Sequence, residues 1–286
     1  MATIEGDFFS AYKIIQILSI DIVLGAMAVG YFTIHLLGVE ANPAWWFILP
    51  MAVWSFYTSD HLIDGFKSKE EATIKRHGFH YKHRKVLGML AALFGLTAFV
   101  FSLLFLNRQI IHYGLLVGVA VLTYFGLLFL YAKKKPFLLQ KELIIAFVYV
   151  FGIWLAPLVW HAAIPRTFIL LILAVFLLLA WAEGIMASSF DFENDIQDGH
   201  SSFTVLFGKR DTRRFLIVIH ILVFLMIKLS IFFISTNLQF TALMILALMN
   251  LCLMLITLYP KWFQKNERYR IVGESVFLLP ALIAFF

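Results

Sequence analysis

Long apolar runs separated by short polar ones organise this chain from end to end. Runs of membrane-spanning length occupy roughly 11–38, 44–66, 86–106, 110–131, 142–160, 167–190, 213–235, 239–258 and 269–286. About 20 apolar residues in a helix cross the hydrocarbon core of a bilayer, and in lipid a helix satisfies all the backbone groups of such a run internally. The pattern predicts an all-α, polytopic membrane protein with nine transmembrane helices in a single bundle. Only Asn107, Arg108 and Gln109 separate the third and fourth runs, and a short turn near Thr236 and Asn237 separates the seventh and eighth. Each of these pairs therefore reads as a tight antiparallel hairpin. With no linker and no low-complexity stretch, residues 1–286 read as one domain.

The polar intervals set the orientation. Counting Lys13, the intervals after spans two, four, six and eight hold 20 of the 23 lysines and arginines. The opposite intervals carry only Arg108 and Arg166. Cytoplasmic loops of membrane proteins are enriched in Lys and Arg. The N-terminus is therefore expected inside and the C-terminus outside. Composition agrees with a membrane protein: 62% hydrophobic, 14% charged, mean hydropathy +0.89. A soluble domain is nearer half apolar and a quarter charged. The net charge of +6 follows from the loop asymmetry, so nucleic acid is not expected as a partner. Cys252 is the single cysteine, which excludes an intrachain disulfide. No cleavable signal peptide is expected, because residues 1–10 are polar and no small-residue cleavage site follows the first apolar run. Compact loops favour a bacterial inner membrane.

Acidic residues then appear where they are hardest to place, at the inner ends of apolar helices. Asp60 and Asp64 lie in Y-T-S-D-H-L-I-D-G, and Asp191 and Asp195 in S-S-F-D-F-E-N-D-I-Q-D-G. On a helix, i,i+4 spacing puts both carboxylates of a pair on one face, about 6 Å apart along the axis. Four facing carboxylates repel unless cations lie between them. Oxygen-only ligands and the absence of a Cys/His set point to Mg2+ or Mn2+, completed by water and substrate phosphate. Glu193, Asn194 and Asp198 flank the second pair, either supporting the ligands or simply solvated. Asp21 and Glu183 lie deeper in spans one and six. They read as a polar cavity wall, a proton acceptor, a mutual pair or structurally satisfied acids.

Among the cations, Lys67 follows Asp64 by three residues, and Tyr131-x-x-x-Lys135 ends span four. The stretch K-R-H-G-F-H-Y-K-H-R-K, which contains Arg76, suits anionic lipid headgroups or substrate equally. Aromatic residues reach 17%, with 31 Phe. Most read as lipid-facing or packing residues, and a subset lining a pocket would suit an isoprenoid chain and a developing cation.

Together these motifs resemble the UbiA superfamily of intramembrane prenyltransferases. D-F-E-N-D-I-Q-D-G-H-S-S-F-T-V-L-F-G, residues 191–208, is similar to the family's second D-x-x-x-D-x-x-x-G motif, with Asp191, Asp195, Gly199 and Gly208 in register. Tyr131 and Lys135 match its Tyr-x-x-x-Lys. The first motif departs from the family's N-D-x-x-D-x-x-x-D: Phe56 and Tyr57 replace the Asn and first Asp, while Asp60 and Asp64 remain. The resemblance implies one nine-helix UbiA-like bundle with both acidic motifs on cytoplasmic caps. It implies Asp60, Asp64, Asp191 and Asp195 as the catalytic metal ligands for Mg2+. Lys67, Tyr131, Lys135 and Arg76 are implied as diphosphate-binding, and Asp21, Glu183, Asn194 and Asp198 as pocket or base residues. The implied activity is transfer of an isoprenyl group from its diphosphate to a lipophilic acceptor. A terpene cyclase on the same scaffold is the alternative, because the altered first motif leaves the acceptor open. A non-catalytic protein binding isoprenoid diphosphate or lipid is another.

Overall fold

The computed structural model describes residues 12–68, 74–130, 141–161 and 166–286. In chain order the helices are α1 (Ile20–Leu37), α2 (Trp45–Ser68), α3 (Lys75–Lys82), α4 (Arg84–Phe105), α5 (Arg108–Leu130) and α6 (Lys141–His161). They continue with α7 (Thr167–Phe190), α8 (Phe192–Gln197), α9 (Phe203–Ser230), α10 (Asn237–Leu258), α11 (Pro260–Gln264) and α12 (Arg268–Ser275). A 3-10 segment, Val276–Phe285, follows α12. The described residues contain no strand. Among the described residues, six helices, α1, α4, α6, α7, α9 and α10, are long and apolar enough to cross a membrane.

Lipid is as apolar as leucine, so packing and small residues hold such helices together more than water exclusion does. Around a centre formed by α7, Trp154 and Phe176 stand 5.7 Å apart, and Phe32 meets Phe176 edge-on at 5.3 Å. All three side chains are fully buried. On α1, the buried Gly25, Ala26, Ala28 and Gly30 let neighbours approach. The closest is Trp45, whose ring would meet a Cβ on Gly30 at 2.7 Å. The outer faces are apolar as well: Leu93, Leu96, Leu104 and Leu122 are more than half exposed, as lipid contact requires. The C-terminal 3-10 segment packs against both α10 and α1, so the bundle closes on itself.

Two boundaries differ from the apolar runs. Helix α9 begins at Phe203 instead of near 213, kinked at Gly208 (φ 78°). Its first turns carry Lys209, Arg210, Asp211, Arg213 and Arg214, which apolarity cannot register but helical backbone accepts readily. The last run divides into α12 and the 3-10 segment, which contains Pro280. Proline has no N–H for an i→i−4 bond. The polar intervals after spans two and six are also not plain loops. They fold into α3 and α8, which form the two caps of the site below.

Candidate active site

Each cap is built by a local backbone device. In the first cap Gly65 follows Asp64 on α2. A Cβ there would lie 2.8 Å from the His77 carbonyl oxygen and 3.2 Å from the Tyr81 nitrogen. Only glycine lets α3 lie this close, and that contact brings His77 beside Asp64 and Arg76 into the same cavity. In the second cap Asp191 ends α7 and α8 carries Asp195. Gly199 then adopts φ 72°, with Gly199 N–H donating to Ile196 O (3.3 Å) and His200 N–H to Asp195 O (2.8 Å). That pair of bonds is a Schellman C-cap, which reverses the chain and returns His200 to the site.

The two caps meet over one cavity of about 240 Å³. Asp60, Asp64, Asp191 and Asp195 all line it, together with Arg76 and Glu183. Among the described residues its lining holds seven carboxyl groups (Asp60, Asp64, Glu142, Glu183, Asp191, Asp195, Glu274) and three permanent cations (Arg76, Lys141, Arg270). Lys141, the first residue of α6, bridges the first cap: its Nζ is 2.9 Å from Asp60 Oδ2 and also bonds Asp64 Oδ2. In the second cap Asp191 accepts from Tyr269 Oη (2.9 Å) and from Arg270 (2.6 Å). Arg76 pairs with Glu274 at 3.0 Å and reaches His61 Nε2 at 3.2 Å. Glu142 accepts the Phe203 backbone N–H at 2.7 Å, tying α6 to the start of α9.

Electrostatics follow from this crowding. Burial, reinforced by the Asp191 charge, pushes the Asp195 carboxyl up to about 7. Burial pushes His77 down to about 3 against the opposing pull of Asp64, so its imidazole is neutral. A surplus of carboxyls in a buried cavity must be protonated or joined by further cations. The donor set is rich in oxygen and Asp195 is short of positive charge. These residues fit a hard divalent cation. Deeper in, Ile22, Ile145, Ala146, Ala180 and Phe277 make an apolar wall. Tyr57 stands edge-on to Tyr149 at 6.3 Å, and Tyr149 to Phe277 at 5.7 Å, adding aromatic rings to it.

Not every expected residue joins the site. Asp21 and Asn194 do not line the cavity, nor does Asp198. Asp21 is not paired with Glu183; the charges acting on it are Glu274 and Arg76. Tyr131 and Lys135 fall outside the described residues. Lys67 lies on α2, with its side chain outside them. A His-containing group also comes together beside the aspartates: His77, Asp198 and His200 bring ligand atoms within 4.8 Å of one another. Periodicity missed these because they come from α3 and from the loop after α8, 121 to 123 positions apart in the chain. Lys141, read only as a loop charge, is central. So are Arg270 and Glu274, whose i,i+4 spacing at the head of the last span was the one available signal.

A model of the UbiA prenyltransferase family matches residues 84–279. The chain belongs to the UbiA family. That match includes the second acidic motif and begins after the first. No curated protein sequence matches significantly. Among solved structures, the fold is similar to a UbiA homologue from Archaeoglobus fulgidus bound to DMAPP and Mg2+. The TM-score is 0.63 at 13% identity, over 94% of this chain and 98% of that one. It is also similar to the apo form of a UbiA homologue from Aeropyrum pernix K1, with TM-score 0.66, 15% identity and coverage of 92% and 96%. The Archaeoglobus fulgidus homologue bound to GPP and Mg2+ gives 0.65 at 10% identity, over 95% and 99%. At these identities the likeness of this UbiA family member to them is one of fold.

Proposed function

We propose that the chain is a Mg2+-dependent intramembrane prenyltransferase that moves an isoprenyl group from its diphosphate to a lipophilic acceptor. One observation carries the reading: two acidic caps, 131 positions apart between Asp60 and Asp191, line a single carboxyl-rich cavity with an apolar wall behind it. Homologues of this fold bind DMAPP or GPP with Mg2+, which supports the same substrate class here. Asp60, Asp64, Asp191 and Asp195 would hold the metal, and the chemistry it supplies is neutralisation of the charge that develops on departing diphosphate. Lys141, Arg76 and Arg270 add fixed positive charge at the same face. Tyr57, Tyr149 and Phe277 present ring faces to an allylic cation and, with the apolar wall, keep water from it. Glu183, which lines the cavity, would take the proton that an attacking acceptor must lose. Nine spans, an internal N-terminus and caps facing the cytoplasm of a bacterial inner membrane complete the proposal.

The ring cluster also favours a second reading, a terpene cyclase in which the substrate's own alkene attacks. One experiment separates the two. Purified protein is incubated with Mg2+ and labelled prenyl diphosphates, with and without lipid extract. Pyrophosphate release that requires the extract supports transfer. A hydrocarbon or alcohol formed without it supports cyclisation. Tight binding with no release contradicts both and indicates a diphosphate-binding protein.

A further inference from the structure

We propose that His77, Asp198 and His200 form a second, nitrogen-ligated metal site for a borderline transition cation such as Zn2+ or Fe2+, stapling the two caps together. The inference goes beyond prenyl transfer and does not depend on it. Two imidazoles and a carboxylate place one ligand atom each within 4.8 Å of one another. Ligands around a tetrahedral ion at roughly 2.1 Å stand about 3.4 Å apart, so the group needs to close by on the order of 1 Å. The two rings meet edge to face with centroids 5.2 Å apart.

Asp64 supplies an independent observation. His77 Nε2 stands 3.9 Å from its Oδ2, and His200 Nδ1 stands 3.9 Å from its Oδ1. Those separations are too long for hydrogen bonds and close to the spacing of donors that share one ion. The other nitrogen of His77, Nδ1, is buried with no hydrogen-bond partner among the described residues, in a side chain 89% covered. A ring gives one nitrogen to an ion, so coordination through Nε2 would leave Nδ1 as the N–H donor, the nitrogen that a ligating histidine turns to a second partner. Nitrogen donors disfavour Mg2+ and suit Zn2+ or Fe2+. The site therefore selects a different ion from the aspartates beside it. His77 comes from α3, in the first cap, and Asp198 and His200 follow α8 in the second. An ion held there would fix the spacing of the caps over the cavity.

The test uses full-length protein in detergent, stripped with chelator and reloaded with Co2+ or Zn2+ in a large excess of Mg2+. The wild type is expected to retain one equivalent of Zn2+. With Co2+ it should show visible absorption of low-symmetry nitrogen ligation. His200→Ala and Asp198→Asn should each weaken retention at least about tenfold. Asp191→Asn, outside the triad, should keep the Co2+ spectrum whatever its effect on diphosphate, so failure of this site and failure of prenyl transfer are read separately. Retention of no transition ion by the wild type under Mg2+ competition overturns the proposal without reference to any variant. So does undiminished retention by both His200→Ala and Asp198→Asn.

Discussion

Asp195 shows how one residue couples burial to metal binding. With its carboxyl pushed up to about 7 by burial, a proton competes with any cation for the same oxygens. A raised carboxyl pKa means the anion, and hence the site, is complete above that value and is lost as pH falls through it. Apparent Mg2+ affinity should therefore drop about tenfold between pH 8 and pH 6. Mg2+ titrations of prenyl-diphosphate binding at the two pH values measure this, and a flat response would remove Asp195 from the ligand set. Lys141 makes an opposite pair of predictions. Its ammonium bridges Asp60 and Asp64 and so competes with metal, yet it also offers charge to diphosphate. Lys141→Met should tighten Mg2+ binding measured without substrate and weaken diphosphate binding about tenfold. Parallel calorimetric titrations with and without diphosphate check both signs.

At the scale of elements, the caps depend on two glycines with different physical roles. Gly65→Ala puts a methyl 2.8 Å from the His77 carbonyl oxygen, so α3 must move off α2. The expected cost is about 1–3 kcal/mol of stability, with weakened diphosphate binding as His77 and Arg76 leave the cavity. Gly199→Ala meets open space but forces a side chain into φ 72°, costing about 1–2 kcal/mol. Thermal unfolding of the two variants distinguishes steric from backbone strain: Gly199→Asn should recover part of the second loss, since Asn tolerates that region, and Gly65→Asn should recover none. These devices explain what the sequence could and could not disclose. Apolar runs located the long helices because lipid imposes that pattern. The i,i+4 aspartates were legible because Asp60 and Asp64 share α2 and Asp191 caps the short helix that carries Asp195. Lys141, Arg270, Glu274 and the histidines were not, since their meeting depends on how α6, α12, α3 and the loop after α8 pack. Even α9 was seen only in its apolar part, because its charged first turns read as loop.

At the scale of the molecule, the closed bundle turns two distant acidic segments into one site. The C-terminal segment contributes as much as the acidic motifs do, since Tyr269 and Arg270 hold Asp191, and Glu274 holds Arg76. The central claim is that both caps grip one diphosphate through shared metal. A double-mutant cycle on Mg2+-dependent binding of a prenyl diphosphate, using Asp60→Asn, Asp191→Asn and the double variant, tests it most directly. The account predicts that each single change weakens binding by about a hundredfold. It also predicts that the double change costs clearly less than the two losses combined, as for groups acting on one ligand. Wild-type affinity in either single variant, or strictly additive losses, would contradict it.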